Sequence, residues 1–369
     1  MNRLFRWDQM GLFLLALAAG ILPFAVPEVC AAALREGLTL CSGPLLLSLF
    51  PFLVVSRLLI QCPESDLLAL PFRLAAWGIG IRTPCAARVL CIGFLGGFAP
   101  AASAAAQAVR TGQLTAEEAD ALLPACICSG PSFVVLTVGQ SLLGSAELGV
   151  LLFASQITAN YLTAALLNRF AGVRSVKPES AAPASPAPPR LDEILADAAI
   201  TYCKLCGFIL FFRMLAAGAG ALLPAGAGTL CAILLEVCSG CDLASRTGRW
   251  GSLLCCAALS VQGLSVLLQV RTICPPEMTL RPLYRARMLH LPLSLALFYL
   301  LLPGGEADVF STLPARVLLM RRVPPDCALL VFAVCCMAAC TLRSGIRQVE
   351  QKQMARNAGG CCINSKTLL

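Results

Sequence analysis

The chain reads as an all-α, polytopic membrane protein with inverted repeats and two broken or re-entrant helices, and three observations carry that expectation. Of its 369 residues, 58% are hydrophobic and only 13% are charged, roughly half the charged share of ordinary soluble domains. So little charge cannot cover a core of this size, and the bilayer must be the solvent. Apolar runs then recur at lengths near the roughly 20 residues that cross about 30 Å of hydrocarbon. Finally, two apolar stretches, 85–108 and 227–245, are cut by Gly, Pro and Ser, as discontinuous helices are.

Each element follows in order. Residues 1–43 hold an N-terminal transmembrane helix centred on 10–33. Arg3 and Arg6 before an apolar run resemble a cleaved signal peptide, but the run continues past Pro23, which fits a retained helix better. Residues 44–170 form a first repeat, with spans at 44–60, 122–143 and 147–170 around the broken stretch 85–108. Thr115-x-x-Glu118 within it is a capping box for a short surface helix. Residues 171–193 carry Pro178, Pro183, Pro186, Pro188 and Pro189 among Ala and Ser, a composition that stiffens toward polyproline II and makes a linker. Residues 194–303 form a second repeat, with spans 195–223, 250–270 and 286–303 around 227–245. A C-terminal transmembrane helix is expected in 304–343, centred on 325–343. The basic tail 344–369 ends near Cys361 and Cys362 and is read as held by anionic headgroups.

Orientation follows from the basic residues. If neither broken stretch crosses and the N-terminus is cytosolic, 20 of the 28 Lys and Arg fall on the cytosolic side, Arg57, Arg110 and Arg287 among them. The linker and the tail are then cytosolic. Spans 44–60 and 195–223 run in opposite directions, so the halves are inverted. Short echoes agree: Leu90-Cys91 with Leu230-Cys231, and Ser129-Gly130-Pro131-Ser132 with Gln262-Gly263-Leu264-Ser265.

Composition also excludes classes. The charge of +8 forms no stripe with interleaved aromatics, so no nucleic-acid partner is expected. The 21 cysteines lie largely inside apolar segments and act there as small hydrophobes. Cys203/Cys206 and Cys238/Cys241 are C-x-x-C pairs, but with one histidine, His290, no metal or other cofactor is expected. There is no H-E-x-x-H, no Ser–His partnership and no phosphate loop of the G-x-x-x-x-G-K-[ST] type, so the chain is not expected to be an enzyme.

Candidate site residues cluster at the interruptions. In the first, Gly93 and Gly97 stand at G-x-x-x-G spacing, and Pro100 frees a carbonyl beside Ser103. That stretch reads as either a kinked, tightly packed helix or a substrate-lining tip. In the second, Glu236 and Asp242 flank Gly240. Arg213, midway along its span, either pairs with one of these carboxylates or faces a cavity that receives an anion. Ser129, Gly130 and Ser132, Asn160, and Gln262, Gly263, Ser265 and Gln269 complete the set. Each polar side chain alone makes an interhelical hydrogen bond, while helices broken at Gly130 or Gly263 would expose backbone groups to a ligand. Lys204 is read as snorkelling and His290 as lying at headgroup level.

At these residues the chain resembles the sporulation integral membrane protein family of the YlbJ type, whose two nucleoside-recognition or gate domains are related to concentrative nucleoside transporters. The resemblance covers roughly 44–303. It is carried by Leu49-Phe50-Pro51-Phe52-Leu53-Val54-Val55-Ser56, Gly97-Phe98, Leu234-Leu235-Glu236 and Gly263-Leu264-Ser265-Val266 with Gln269. Where the family carries a Phe-Pro-Met-Gly-Ala-Lys run this chain has Phe98 to Ser103 without the lysine, and Leu267 stands where a histidine follows Leu-Ser-Val. These departures imply a changed or relaxed substrate site. The resemblance implies two gate-type repeats and export of dipicolinic acid from the mother cell to the forespore across the outer forespore membrane. The solute would be a small anion or nucleoside-like molecule, with H+ or Na+ as coupling ion. Oligomers are left open, as are the alternatives of a nucleoside transporter and of a non-transporting sporulation scaffold.

Overall fold

The computed structural model describes residues 2–61, 67–172 and 191–302. Within them all regular structure is helical. The expected C-terminal helix and the tail lie outside the described residues, as does most of the linker. Three helical runs are long and apolar enough to cross a membrane, Ala146–Ala171, Leu191–Leu222 and Gly248–Ile273. A fourth crossing results if one bent N-terminal pair counts as one. This is consistent with a multi-pass membrane protein.

The N-terminal region is two helices, α1 (Asn2–Ala25) and α2 (Pro27–Ser42), meeting at 110° rather than forming one straight span through 10–33. Pro27 has no N–H to continue the first helix and pushes Val26 out of the helical region, to φ −139°. After α3 (Pro44–Gln61) comes the short α4 (Leu70–Gly78), which exposes Leu70, Leu74 and Trp77. Arg73 lies 5.9 Å from the Trp77 ring centre, the pairing of aromatic and cation found at membrane interfaces. Next come α5 (Pro84–Gly96) and α6 (Phe98–Arg110), joined only through Gly97. The third helix of this group, α7 (Ala116–Cys126), opens with the expected capping box: Thr115 Oγ1 accepts from the Glu118 amide at 3.1 Å, and Glu118 Oε2 accepts from the Thr115 amide at 3.2 Å. Residues 127–130 are unwound, a π-helix spans Ser132–Leu142, and α8 (Ala146–Ala171) completes the first half.

The second half begins with α9 (Leu191–Leu222). It continues through α10 (Ala225–Leu235), α11 (Val237–Ser245), α12 (Gly251–Val261), α13 (Gly263–Ile273) and α14 (Arg281–Leu301). Two of the expected spans are therefore interrupted, beside the Gly130 and Gly263 turns at which the sequence reading allowed for breaks. The stretch 122–143 breaks where Pro131 cannot donate a helical hydrogen bond, and 250–270 breaks where Gln262 and Gly263 take positive φ.

One apolar core joins the halves, running through Leu122, Leu152, Leu259 and Phe298. Leu53 of α3, Ala99 of α6 and Leu205 of α9 form a second cluster, and Phe212 and Leu215 of α9 pack on α1 and α2. From Ala99 to Ala106 every residue of α6 is buried, all but Pro100 and Ser103 being alanine. Such small side chains let helices approach closely where lipid gives no hydrophobic drive to associate. Thus α6 packs at once on α3, α5 and α13.

Candidate functional site

Four interruptions meet in two pairs. Gly97 has φ +81° and ψ −163°, a region open in practice only to glycine, and a Cβ there would lie 2.7 Å from the Gly130 amide nitrogen. The α5–α6 break therefore rests directly on the unwound segment after α7. In the second half, Gly263 has φ +70°, and a Cβ on it would lie 2.9 Å from the Glu236 nitrogen. The α12–α13 break rests in the same way on the α10–α11 break. Glu236, 2% exposed, caps α11, its carboxylate accepting from the Cys238 and Ser239 amides at 2.9 and 2.7 Å. Carboxylates suit this place, where helical N–H groups lack partners.

The expected partnership of Arg213 with Glu236 or Asp242 is not what forms. Arg213 Nη2 donates to Glu36 Oε2 on α2 at 2.7 Å, and Asp242 pairs with Arg246 at 2.7 Å, one turn along. The backbone amides of α11 satisfy Glu236, which leaves Arg213 to the nearest carboxylate on the neighbouring helix.

A buried polar bracket ties the two halves together. Arg287 on α14, counted as a cytosolic charge by the sequence reading, is 8% exposed and donates to the carbonyls of Ile127 and Ser260, the latter at 3.3 Å. Both carbonyls lie near the ends of interrupted helices, where no following turn supplies an amide. His290, expected at headgroup level and without a serine partner, is instead 1% exposed and does pair with a serine, its Nδ1 on Ser260 Oγ and its Nε2 at 3.2 Å from the Gln156 carbonyl. Gln156 donates to the Cys256 carbonyl at 3.2 Å, and Asn160 to Ile127 at 3.5 Å. Helical spacing of Arg287 and His290 puts both on one face of α14, a signal that a search restricted to Gly-rich stretches passes over.

Beside the breaks, α3 and α6 from one half and α9 and α13 from the other enclose a cleft of about 160 Å³. Its floor holds Ser103 and Gln269, 3% and 2% exposed. Gln269 donates to Ser265 Oγ at 2.9 Å, while its Oε1 is buried without a partner. Arg57 lies in the wall, its Nη1 2.6 Å from Asp197 Oδ2 and its Nη2 3.1 Å from Thr201 Oγ1. Arg110 and Lys204 stand exposed at the rim and have no ion-pair partner among the described residues. Three cations against one carboxylate make this a place for an anion.

Of the residues expected to bind solute, the structure thus brings Ser103 and Gln269 into one cleft, with Ser265 behind Gln269. Gly97 with Gly130, and Glu236 with Gly263, form the two break contacts, while Pro100 packs against Gly96 and Gly240 against Ile233. Ser129 lies within the unwound segment and Ser132 opens the π-helix after it. Gln262 keeps a buried Oε1 without a partner. Arg213 and Asp242 lie apart from the cleft lining. Lys204, read as a snorkelling side chain, lines its rim. The sequence reading missed Arg57, Arg110, Asp197 and Thr201 as site residues: Arg57 and Arg110 lie near the ends of apolar helices, where a basic residue looks like a mere boundary, and Asp197 and Thr201 sit within the first half of α9 with no local pattern to mark them. Among the described residues no three His, Cys, Asp or Glu side chains gather in a way that could hold a metal ion. Comparison with protein-family models, with curated proteins and with solved structures gives no match.

Proposed function

We propose that the chain is a secondary transporter of a small anionic solute, with segments 44–170 and 194–303 as inverted repeats whose broken helices are re-entrant. The observation that carries this reading is the basic cleft, because α3 and α6 of one segment and α9 and α13 of the other line it together. A site shared between two bodies changes shape whenever one rocks against the other, the common basis of alternating access. Buried Arg57, with Arg110 and Lys204 at the rim, suits a carboxylate or phosphate ligand.

The resemblance to the sporulation family narrows the solute to dipicolinic acid, pyridine-2,6-dicarboxylate at neutral pH, moved from mother cell to forespore across the outer forespore membrane. H+ or Na+ is the proposed coupling ion. A planar dianion with two carboxylates matches a cleft rich in cations. One observation favours the second reading, a scaffold without transport: the break contacts at Gly97 and Gly263 are closed backbone to backbone. Uptake of labelled pyridine-2,6-dicarboxylate into proteoliposomes, with nucleosides as competitors, separates the readings. Saturable uptake that nucleosides leave untouched is expected. Uptake no greater than into empty liposomes would remove the transport reading, and competition by nucleosides would reassign the solute.

A further inference from the structure

An acidic side chain of the protein itself sits where an incoming anion would bind. Arg57 is 8% exposed, whereas the Asp197 side chain that pairs with it is 63% exposed. A buried guanidinium needs an anion beside it, and removing that anion without replacement is strongly unfavourable. The same need is met by any carboxylate or phosphate of suitable shape. Asp197 can leave at little cost, since it already faces water and regains full hydration on turning outward. Arg57 also has unused capacity: its Nε is buried without a partner, beyond the contacts its Nη1 and Nη2 make to Asp197 and Thr201. Across the cleft the Gln269 amide keeps one end free, and Lys204 supplies unpaired charge at the rim.

We propose that Asp197 is a resident pseudo-ligand, a latch that occupies Arg57 in the empty cleft and is displaced by a soluble oxyanion of the carboxylate or phosphate type. The ligand takes Arg57 through paired N–H donors, as planar oxyanions do, and gains Lys204 and Arg110, which Asp197 does not engage. The latch neutralises Arg57 in the empty cleft, leaving Arg110 and Lys204 to attract the anion, and lowers apparent affinity by the fraction of time Arg57 is occupied. It deepens the transport reading above and rests on it.

The test is equilibrium binding of labelled pyridine-2,6-dicarboxylate, with inorganic phosphate as second probe, to the purified full chain in nanodiscs of neutral lipid. Asp197→Asn should bind about 10-fold more tightly than the wild type if the latch is closed some nine-tenths of the time. Asp197→Glu, which keeps the charge, should bind as the wild type does, and Arg57→Gln should lose binding. Wild-type binding with no gain in Asp197→Asn overturns the latch and leaves the transport reading standing, whereas absence of binding in every variant overturns both. Asp197→Ser is a second variant with the same expected gain. Failure of both neutral variants to fold also overturns the latch, because a group that lets go during binding must be dispensable to the fold. Repeating the titration with phosphatidylglycerol in the nanodisc separates the sources of the oxyanion: loss of probe binding there would make the ligand a lipid headgroup and overturn the soluble one.

Discussion

Arg287 holds carbonyls that interrupted helices leave without backbone amide partners. Its donors reach Ile127 and Ser260 from a single side chain on α14, so one residue satisfies both halves. Leaving a buried acceptor unsatisfied costs about 1–3 kcal/mol. Arg287→Met is therefore expected to lower unfolding stability in detergent by roughly 3 kcal/mol, with Arg287→Lys recovering only part, because an ammonium lacks the guanidinium's fork. A thermal melt of Arg287→Met matching the wild type would show that water satisfies these carbonyls instead. Arg213 yields a second prediction at this scale. Because its partner Glu36 has a side chain 67% exposed, a double-mutant cycle over Arg213 and Glu36 should show coupling of about 0.2–1 kcal/mol. The same cycle over Arg213 and Glu236 should show weaker coupling than the first, since Glu236 spends its oxygens on the start of α11 and only its charge reaches Arg213. Coupling in the second cycle and none in the first would reverse the assignment.

The element that does most for the site is the interrupted helix. Gly97 and Gly263 allow one backbone to lie on another, and both have positive φ. Gly97→Ala must meet the Gly130 amide and take a backbone region reserved for glycine, a penalty on the order of 1–3 kcal/mol for the strain alone. Transport and stability should fall together in that variant, measured as uptake per folded protein and as a melting midpoint. Gln262 is the contrasting case, a non-glycine at φ 66°. Gln262→Gly should relieve about 1 kcal/mol of left-handed strain and raise the melting midpoint. If it also leaves solute uptake intact, the unpartnered Gln262 amide has no part in the path. Should the midpoint fall, buried contacts of that side chain outweigh the strain.

At the scale of the whole molecule, the arrangement places one cleft between two helical halves that share a core. The orientation proposed for it comes from the distribution of Lys and Arg, which puts the linker 171–193 on the cytosolic side. Asp197 and Lys204 stand in the half of α9 that follows that linker, so the cleft should open to the cytosol. Single cysteines introduced at Ser180 and at Thr201 in a background without reactive thiols should both be labelled by an impermeant maleimide from the cytosolic side only. Added pyridine-2,6-dicarboxylate should slow labelling at Thr201 and leave Ser180 unchanged. Labelling of Ser180 from the opposite side would invert the molecule, and labelling of Thr201 from the opposite side alone would turn the cleft around within it.

What the sequence determined by itself is the solvent and the punctuation. Apolar composition points to lipid, and Gly97, Gly130 with Pro131, and Gly263 mark backbone that readily leaves the helix, since glycine loosens and proline removes a rung of the i to i−4 ladder locally. Local rules also suffice for the Thr115–Glu118 cap, whose partners are three residues apart. Only the tertiary structure decided which charges meet. Arg57 finds Asp197 across 140 positions and Arg213 finds Glu36 across 177, while Arg287 turns inward although the sequence reading counted it among the cytosolic charges. Interruption is a property of one stretch of backbone and leaves its mark there. Pairing depends on which helices pack, and in a chain of many apolar helices of similar composition that choice rests on small side chains and shape rather than on any periodicity a single helix displays.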